Sequence, residues 1–299
     1  MRRAAAAGLL LLLLAACGSE ESSEPGFVGA DGVRTVIEDT SRIVSLSGAI
    51  TEILFELGFG DSVVAIDVTT IYPPEAATLP IVGVGRFLTP EGVLNQRPTL
   101  VIGDTQTAPI ETITQIRNAG VPVLITEVPV TFDGLYDDFI AIGEALGDPD
   151  AGIALAERVK GEIDAALAGV DANASPPQVA FVYSRGPDVI LLFGSEMTTQ
   201  PLIEGAGGVD AGAASGIVGT VDFTPEALVA AAPDVIVITS EGLDMLGGID
   251  GLLEIPGFAA TPAGREKRIF DYPEGDILTF GPRIAETLNS LISDLAESA

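Results

Sequence analysis

Short apolar runs alternate along the chain with longer stretches in which apolar residues return every three or four positions. Ile43-Val44-Ser45-Leu46 reads as a strand, and Ile50, Ile53, Leu54 and Leu57 then line one stripe of a helix that stops near Gly58. Further strands are expected at 63–66, 81–84, 100–102 and 121–125, with a helix over 109–118. A second series follows at 178–183, 189–193, 235–238 and 268–270, with a helix near 201–205, and the chain closes in a helix over 282–297. Strands alternating with helices predict mostly parallel, helix-covered sheets. Between the two series no strand pattern appears. The segment 148–170 is rich in Ala, Glu and Leu, with Ile153, Leu155, Ala156, Val159, Ile163, Ala166 and Leu167 at helical spacing and Asp148 and Asp150 near its start. A helix of about 20 residues spans roughly 30 Å, enough to cross from one lobe to another.

An internal echo supports two lobes. Thr89-Pro90-Glu91 and Thr224-Pro225-Glu226 each stand seven residues, counted from the Glu, before a proline (Pro98, Pro233) that leads into an apolar strand, and the offset between them is 135 residues. Thr caps a helix, Pro suits its first position, and Glu in the first turn meets the positive helix end. Alone, this is a pair of well-capped short helices. Repeated on both sides of one long helix, it argues for related lobes facing each other across a cleft.

The first residues are of another kind. Arg2 and Arg3 precede an apolar run from Ala4 to Leu14, too short to span a bilayer and suited to a secretory signal. The run ends in Leu14-Ala15-Ala16-Cys17, which resembles a bacterial lipobox. That resemblance implies a signal peptide over 1–16, cleavage before Cys17 and acylation of its thiol. Residues 18–26 are polar and rich in Gly, Ser, Glu and Pro, so 17–38 is expected to be a lipidated, flexible tether. The expected place is outside the cytoplasmic membrane, held by lipid. The remaining divisions are a first lobe over 39–147, a linking helix over 148–171 and a second lobe over 172–299.

Composition narrows the chemistry. With no His and one Cys, the chain has no Ser-His-Asp triad, no Cys-His dyad, no intramolecular disulfide and no His- or Cys-rich metal site. Fourteen basic against 43 acidic residues give a net charge of −29, which argues against nucleic acid as a partner. Gly83-Val84-Gly85 and the glycines at 205, 207 and 208 lack a dinucleotide fingerprint, and there is no Walker A sequence. No enzyme is expected.

The segment Arg42-Ile-Val-Ser-Leu-Ser-Gly-Ala-Ile-Thr-Glu52 and the two Thr-Pro-Glu helices resemble the class III periplasmic-binding-protein family, which delivers cobalamin, ferric siderophores and heme to ABC importers. The segments Asp67-Val-Thr-Thr-Ile-Tyr72, Gly83-Val-Gly-Arg86, Leu202-Ile-Glu-Gly-Ala-Gly-Gly-Val209 and Phe280-Gly-Pro-Arg283 look most like its hemin-binding branch. The resemblance implies an α/β fold of two Rossmann-like lobes joined by one helix. It implies a monomer that carries hemin as ligand, not cofactor, to a permease and its ATPase, with a ferric siderophore or cobalamin as the alternative. A secreted enzyme or adhesion lipoprotein on the same fold is the reading from a different class. By the same resemblance, Glu91 and Glu226 dock on arginines of the permease, while Glu52 is a family position given no docking role. Hemin-binding relatives commonly place an iron-ligating tyrosine where this chain has Val84. The iron ligand is then another tyrosine, a methionine or water. Tyr72, Tyr183 and Tyr272 sit in loops or at strand ends, whereas Tyr136 falls in an amphipathic helix and suits packing. Arg86, Arg185 and Arg283 follow strands and are candidates for the propionates, against the plainer alternative of intramolecular ion pairs.

Overall fold

The computed structural model describes residues 26–83, 87–107, 109–171 and 175–297. The signal segment, Cys17, Val84 and Arg86 lie outside the described residues. Strands β1 (Phe27–Val28) and β2 (Arg34–Thr35) form a small antiparallel ribbon inside the expected tether. The ribbon is fastened to the first lobe. The Thr35 hydroxyl donates to the Val123 carbonyl at 2.8 Å, and Asp31 pairs with Arg117 at 2.6 Å. Residues 27–35, within the stretch expected to be tether, thus form a ribbon packed on the first lobe.

The first lobe carries β3 (Ile43–Ser45), β4 (Val63–Ala65), β5 (Leu100–Asp104) and β6 (Val123–Thr126). They pair in the order β4-β3-β5-β6, all parallel. Their residues are almost all buried, because helices cover both faces, and this is why they read as continuous apolar runs. Of the strand expected at 81–84, the described residues 81–83 form only a bridge, between Ile66 and Ile81.

The second lobe holds β7 (Gln178–Ser184), β8 (Ile190–Phe193), β9 (Val209–Asp210), β10 (Thr220–Asp222), β11 (Val235–Thr239) and β12 (Ile269–Tyr272). The order is β10-β8-β7-β11-β12, with β9 also on β7. β7, β11 and β12 run parallel, while β8 and β10 are antiparallel to their neighbours. The reason is local: the link from β7 to β8 turns through Gly186-Pro187-Asp188, with the Arg185 N–H donating to Val189 O at 2.9 Å. A link so short can only return antiparallel.

The joining helix is Pro149–Leu167, with Asp148 as its cap accepting from Ala151 N at 3.0 Å. Its apolar stripe, including Leu155, Val159, Ile163 and Ala166, belongs to one buried cluster that runs from Ile43 and Ile53 of the first lobe to Val179 and Leu288 of the second. It packs closely on the helix Phe132–Ala145: a Cβ added to Gly143 would stand 2.7 Å from Gly152 Cα, and one added to Gly152 2.7 Å from the Phe139 carbonyl. Only glycine permits that approach.

Candidate functional site

The carboxyl ends of the strands point into one cavity between the lobes, of about 660 Å³. From the first lobe its wall takes residues 46–50 after β3, 67–69 and 71 after β4, 104, 106 and 107 at β5, and 126–130 at β6. From the second it takes Tyr183 and Arg185 at the end of β7, Leu191 and Phe193 on β8, residues 196–198, Glu241 after β11, and residues 274, 275 and 278–280 after β12. This is where open α/β sheets place ligands, because loops there are free to vary while the strands fix their roots.

Part of the wall is apolar: Leu46, Ile50, Leu191, Phe193, Met197, Leu278 and Phe280. The polar part is unbalanced. Asp67, Asp104, Glu127, Asp138, Glu196, Glu241 and Glu274 line the cavity, and Arg185 is the one cation among the described lining residues. Asp67 is held by Thr69, whose hydroxyl lies 2.8 Å from both carboxylate oxygens and accepts from Gly48 N at 2.9 Å. Burial pushes the Asp67 carboxyl up. Burial also pushes Asp138, on the helix Phe132–Ala145, up to about 7, with the Thr126 hydroxyl opposing and the Asp104 charge adding.

Among the four tyrosines, Tyr183 alone lines the cavity. It is half-buried, its ring 6.1 Å from that of Phe193, and the Arg185 guanidinium sits 5.1 Å from its centroid. Burial raises the Tyr183 phenol, Glu274 adds to this, and Arg185 opposes it. Arg185 in turn binds Glu274 Oε1 at 2.6 Å, and the Glu274 N–H donates to Glu241 Oε2 at 2.9 Å.

The other candidates are placed elsewhere. Tyr272 is 7% exposed, and its hydroxyl donates to Asp294 of the closing helix Ile284–Glu297. It faces the core because the last position of β12 points to that helix, and it is not among the lining residues of the cavity. Tyr72 and Arg283 are not among the lining residues. Arg283 lies 4.2 Å from the Tyr72 centroid, binds Glu52 at 2.8 and 3.2 Å, and reaches Asp276 at 3.1 Å. The Arg283–Glu52 pair joins the first-lobe helix Gly48–Glu56 to the second lobe. The helix residue Tyr136 is buried, with the Lys160 ammonium 5.4 Å from its ring centroid. Glu91 and Glu226 are exposed in the first turns of the equivalent helices Pro90–Leu94 and Pro225–Ala231. Thr89 and Thr224 cap these helices at 3.2 and 3.1 Å. The sequence reading passed over Glu274 and Glu241. The available signal was an acid just past the end of a parallel strand, the position that points into such a cleft.

The periplasmic heme-binding protein RhuT of Roseiflexus sp. RS-1, solved in apo form, is 43% identical and superposes with a TM-score of 0.83 over 87% of this chain and 99% of that one. The heme binding protein HmuT is 37% identical, with a TM-score of 0.85 over 91% of this chain and 89% of that one. HmuT has also been solved with an arginine, a histidine or a tyrosine replaced by alanine. An uncharacterized ABC transporter substrate-binding lipoprotein of Bacillus subtilis, YvrC, is 26% identical over 267 residues, 88% of this chain and 81% of that protein. The family model described as periplasmic binding protein matches residues 43–275. That match runs from β3 to the short helix after β12 and takes in most of the residues that line the cleft, and the chain belongs to the periplasmic binding protein family.

Proposed function

We propose that the protein captures hemin in the inter-lobe cavity and hands it to an ABC permease. The observation that carries this is Tyr183, the one tyrosine on the cavity wall, set between an apolar surface and Arg185. A ferric tetrapyrrole asks for those three things: apolar faces for the macrocycle, an axial oxygen for the iron, and a cation for a propionate. The altered tyrosine and arginine of HmuT stand two positions apart, the spacing of Tyr183 and Arg185. No covalent step belongs to this reading.

The test is a visible absorbance titration of the mature protein lacking Cys17. Hemin is expected to give a saturable Soret shift and a charge-transfer band at micromolar concentration. Parallel titrations with cyanocobalamin and a ferric siderophore are expected to give none. Absence of saturation with hemin sinks the reading.

Delivery rests on Glu91 and Glu226, two exposed carboxylates at matching positions of the two lobes, suited to orient docking on a basic rim. Cys17 carries the lipid that keeps the protein at the outer face of the membrane. Both are read in one growth assay with hemin as sole iron source. Replacing Glu91 and Glu226 together by alanine abolishes growth while the protein stays in the membrane fraction, whereas Cys17→Ala releases it. Growth of the double variant at the wild-type rate removes the docking role.

A further inference from the structure

Hemin, the ligand on which this inference rests, brings two carboxylates into a wall that already holds seven and, among the described residues, a single cation. That cation is engaged. Arg185 lines the cavity with its side chain 42% exposed, and Glu274 Oε1 lies 2.6 Å from its Nη2. Glu274 opens the short helix Glu274–Ile277 directly after β12, and its backbone is held from the other side by the Glu241 carboxylate at 2.9 Å. Its root is thus fixed, while its carboxylate is only 27% exposed and reaches across to β7. A guanidinium can hold two carboxylates, as Arg283 holds Glu52 and Asp276, but Glu274 already neutralises Arg185, and at its Nη2 a propionate and Glu274 compete.

We infer that Glu274 is a specificity-determining residue, a resident carboxylate that occupies Arg185 in the empty cleft and must be displaced by a ligand carboxylate. The exchange trades one ion pair for another. A small organic anion therefore gains almost nothing from Arg185, and displacement succeeds only for a ligand that also buries a large apolar body against Phe193, Leu278 and Phe280. The resident acid keeps the cleft clear of simple carboxylates.

Glu274→Gln frees Arg185 and removes one repelling charge. It is expected to tighten hemin about fivefold relative to hemin dimethyl ester, which has no free carboxylate. The comparison of the two ligands separates this role from a general one. Glu274 also faces Tyr183, and an effect through the phenol moves both ligands alike, whereas an effect of overall cavity charge is reproduced by Glu127→Gln, which removes a wall carboxylate that does not pair with Arg185. Adding Arg185→Gln to Glu274→Gln is expected to erase the gain, as coupled residues require. Thermal melts of the variants check that each is folded. A hemin-to-ester ratio unchanged from wild type, with both ligands bound, overturns the assignment of Glu274 and leaves hemin capture standing. Loss of saturable binding of both ligands by wild type and variants alike overturns hemin capture, and this inference with it.

Discussion

Replacing Arg283 by alanine is expected to lower the unfolding free energy by about 3 kcal/mol near neutral pH, read from urea denaturation. Glu52 is 3% exposed, and its two oxygens take the Arg283 fork at 2.8 and 3.2 Å. Removing the arginine leaves a buried carboxylate with no cation. The loss is expected to depend on pH, and its sign follows from Glu52. Burial holds the Glu52 carboxyl above its ordinary value, with Arg283 opposing and Asp276 and Glu56 adding. Without Arg283 the opposing contribution goes and the value rises further. A carboxyl raised in the folded state keeps its full stability below its unfolded value and loses it as pH rises through the folded one. The deficit of the variant is therefore small near pH 5 and largest near pH 8. Arg283→Lys keeps the charge but not the fork, and falls between. A deficit that is the same at both pH values would locate the loss in packing on Tyr72 rather than in Glu52. Because Glu52 belongs to the first lobe and Arg283 to the second, the variant also removes an ion pair between the lobes.

Tyr183→Phe is expected to weaken hemin on the order of 100-fold or more and to abolish the charge-transfer band, since loss of a direct ligand exceeds the 10–100-fold typical of groups behind one. The substitution keeps the ring that faces Phe193 and Arg185 and deletes one oxygen, so thermal stability is expected to stay near wild type. The neutral phenol favoured in the empty cleft is no obstacle, because ferric iron supplies a positive charge far larger than that of one half-exposed arginine. Tyr72→Phe and Tyr272→Phe act as controls: the first leaves the Arg283 stack and the band in place. The second removes the Asp294 hydrogen bond and costs about 1 kcal/mol of stability with the band unchanged. An unaltered spectrum in Tyr183→Phe would move the iron to Met197 or to a wall carboxylate.

These residues mark how far a linear reading reaches. The strands β3, β5, β7 and β11, the capped Thr-Pro-Glu helices and the long helix from Pro149 were legible because each is a contiguous signal: a buried run, a cap and its proline, a stripe at helical spacing. The turn at Gly186-Pro187-Asp188 was equally local, and it makes β8 antiparallel where alternation alone suggested parallel neighbours. Tyr72, Tyr183 and Tyr272 looked alike along the chain, each beside a strand end. The fold separates them by what stands opposite: Arg283, the cavity, and Asp294. Arg283 and Arg185 were likewise equivalent until one met Glu52, 231 residues away, and the other Glu274, 89 residues away. The lobes and the joining helix could be read along the chain because periodicity and caps act between near neighbours, and the family through short contiguous motifs that resemble it. Which tyrosine and which arginine line the cavity emerges only in the folded chain, because burial and ion pairing depend on groups that the chain keeps far apart and the fold brings within 3 Å.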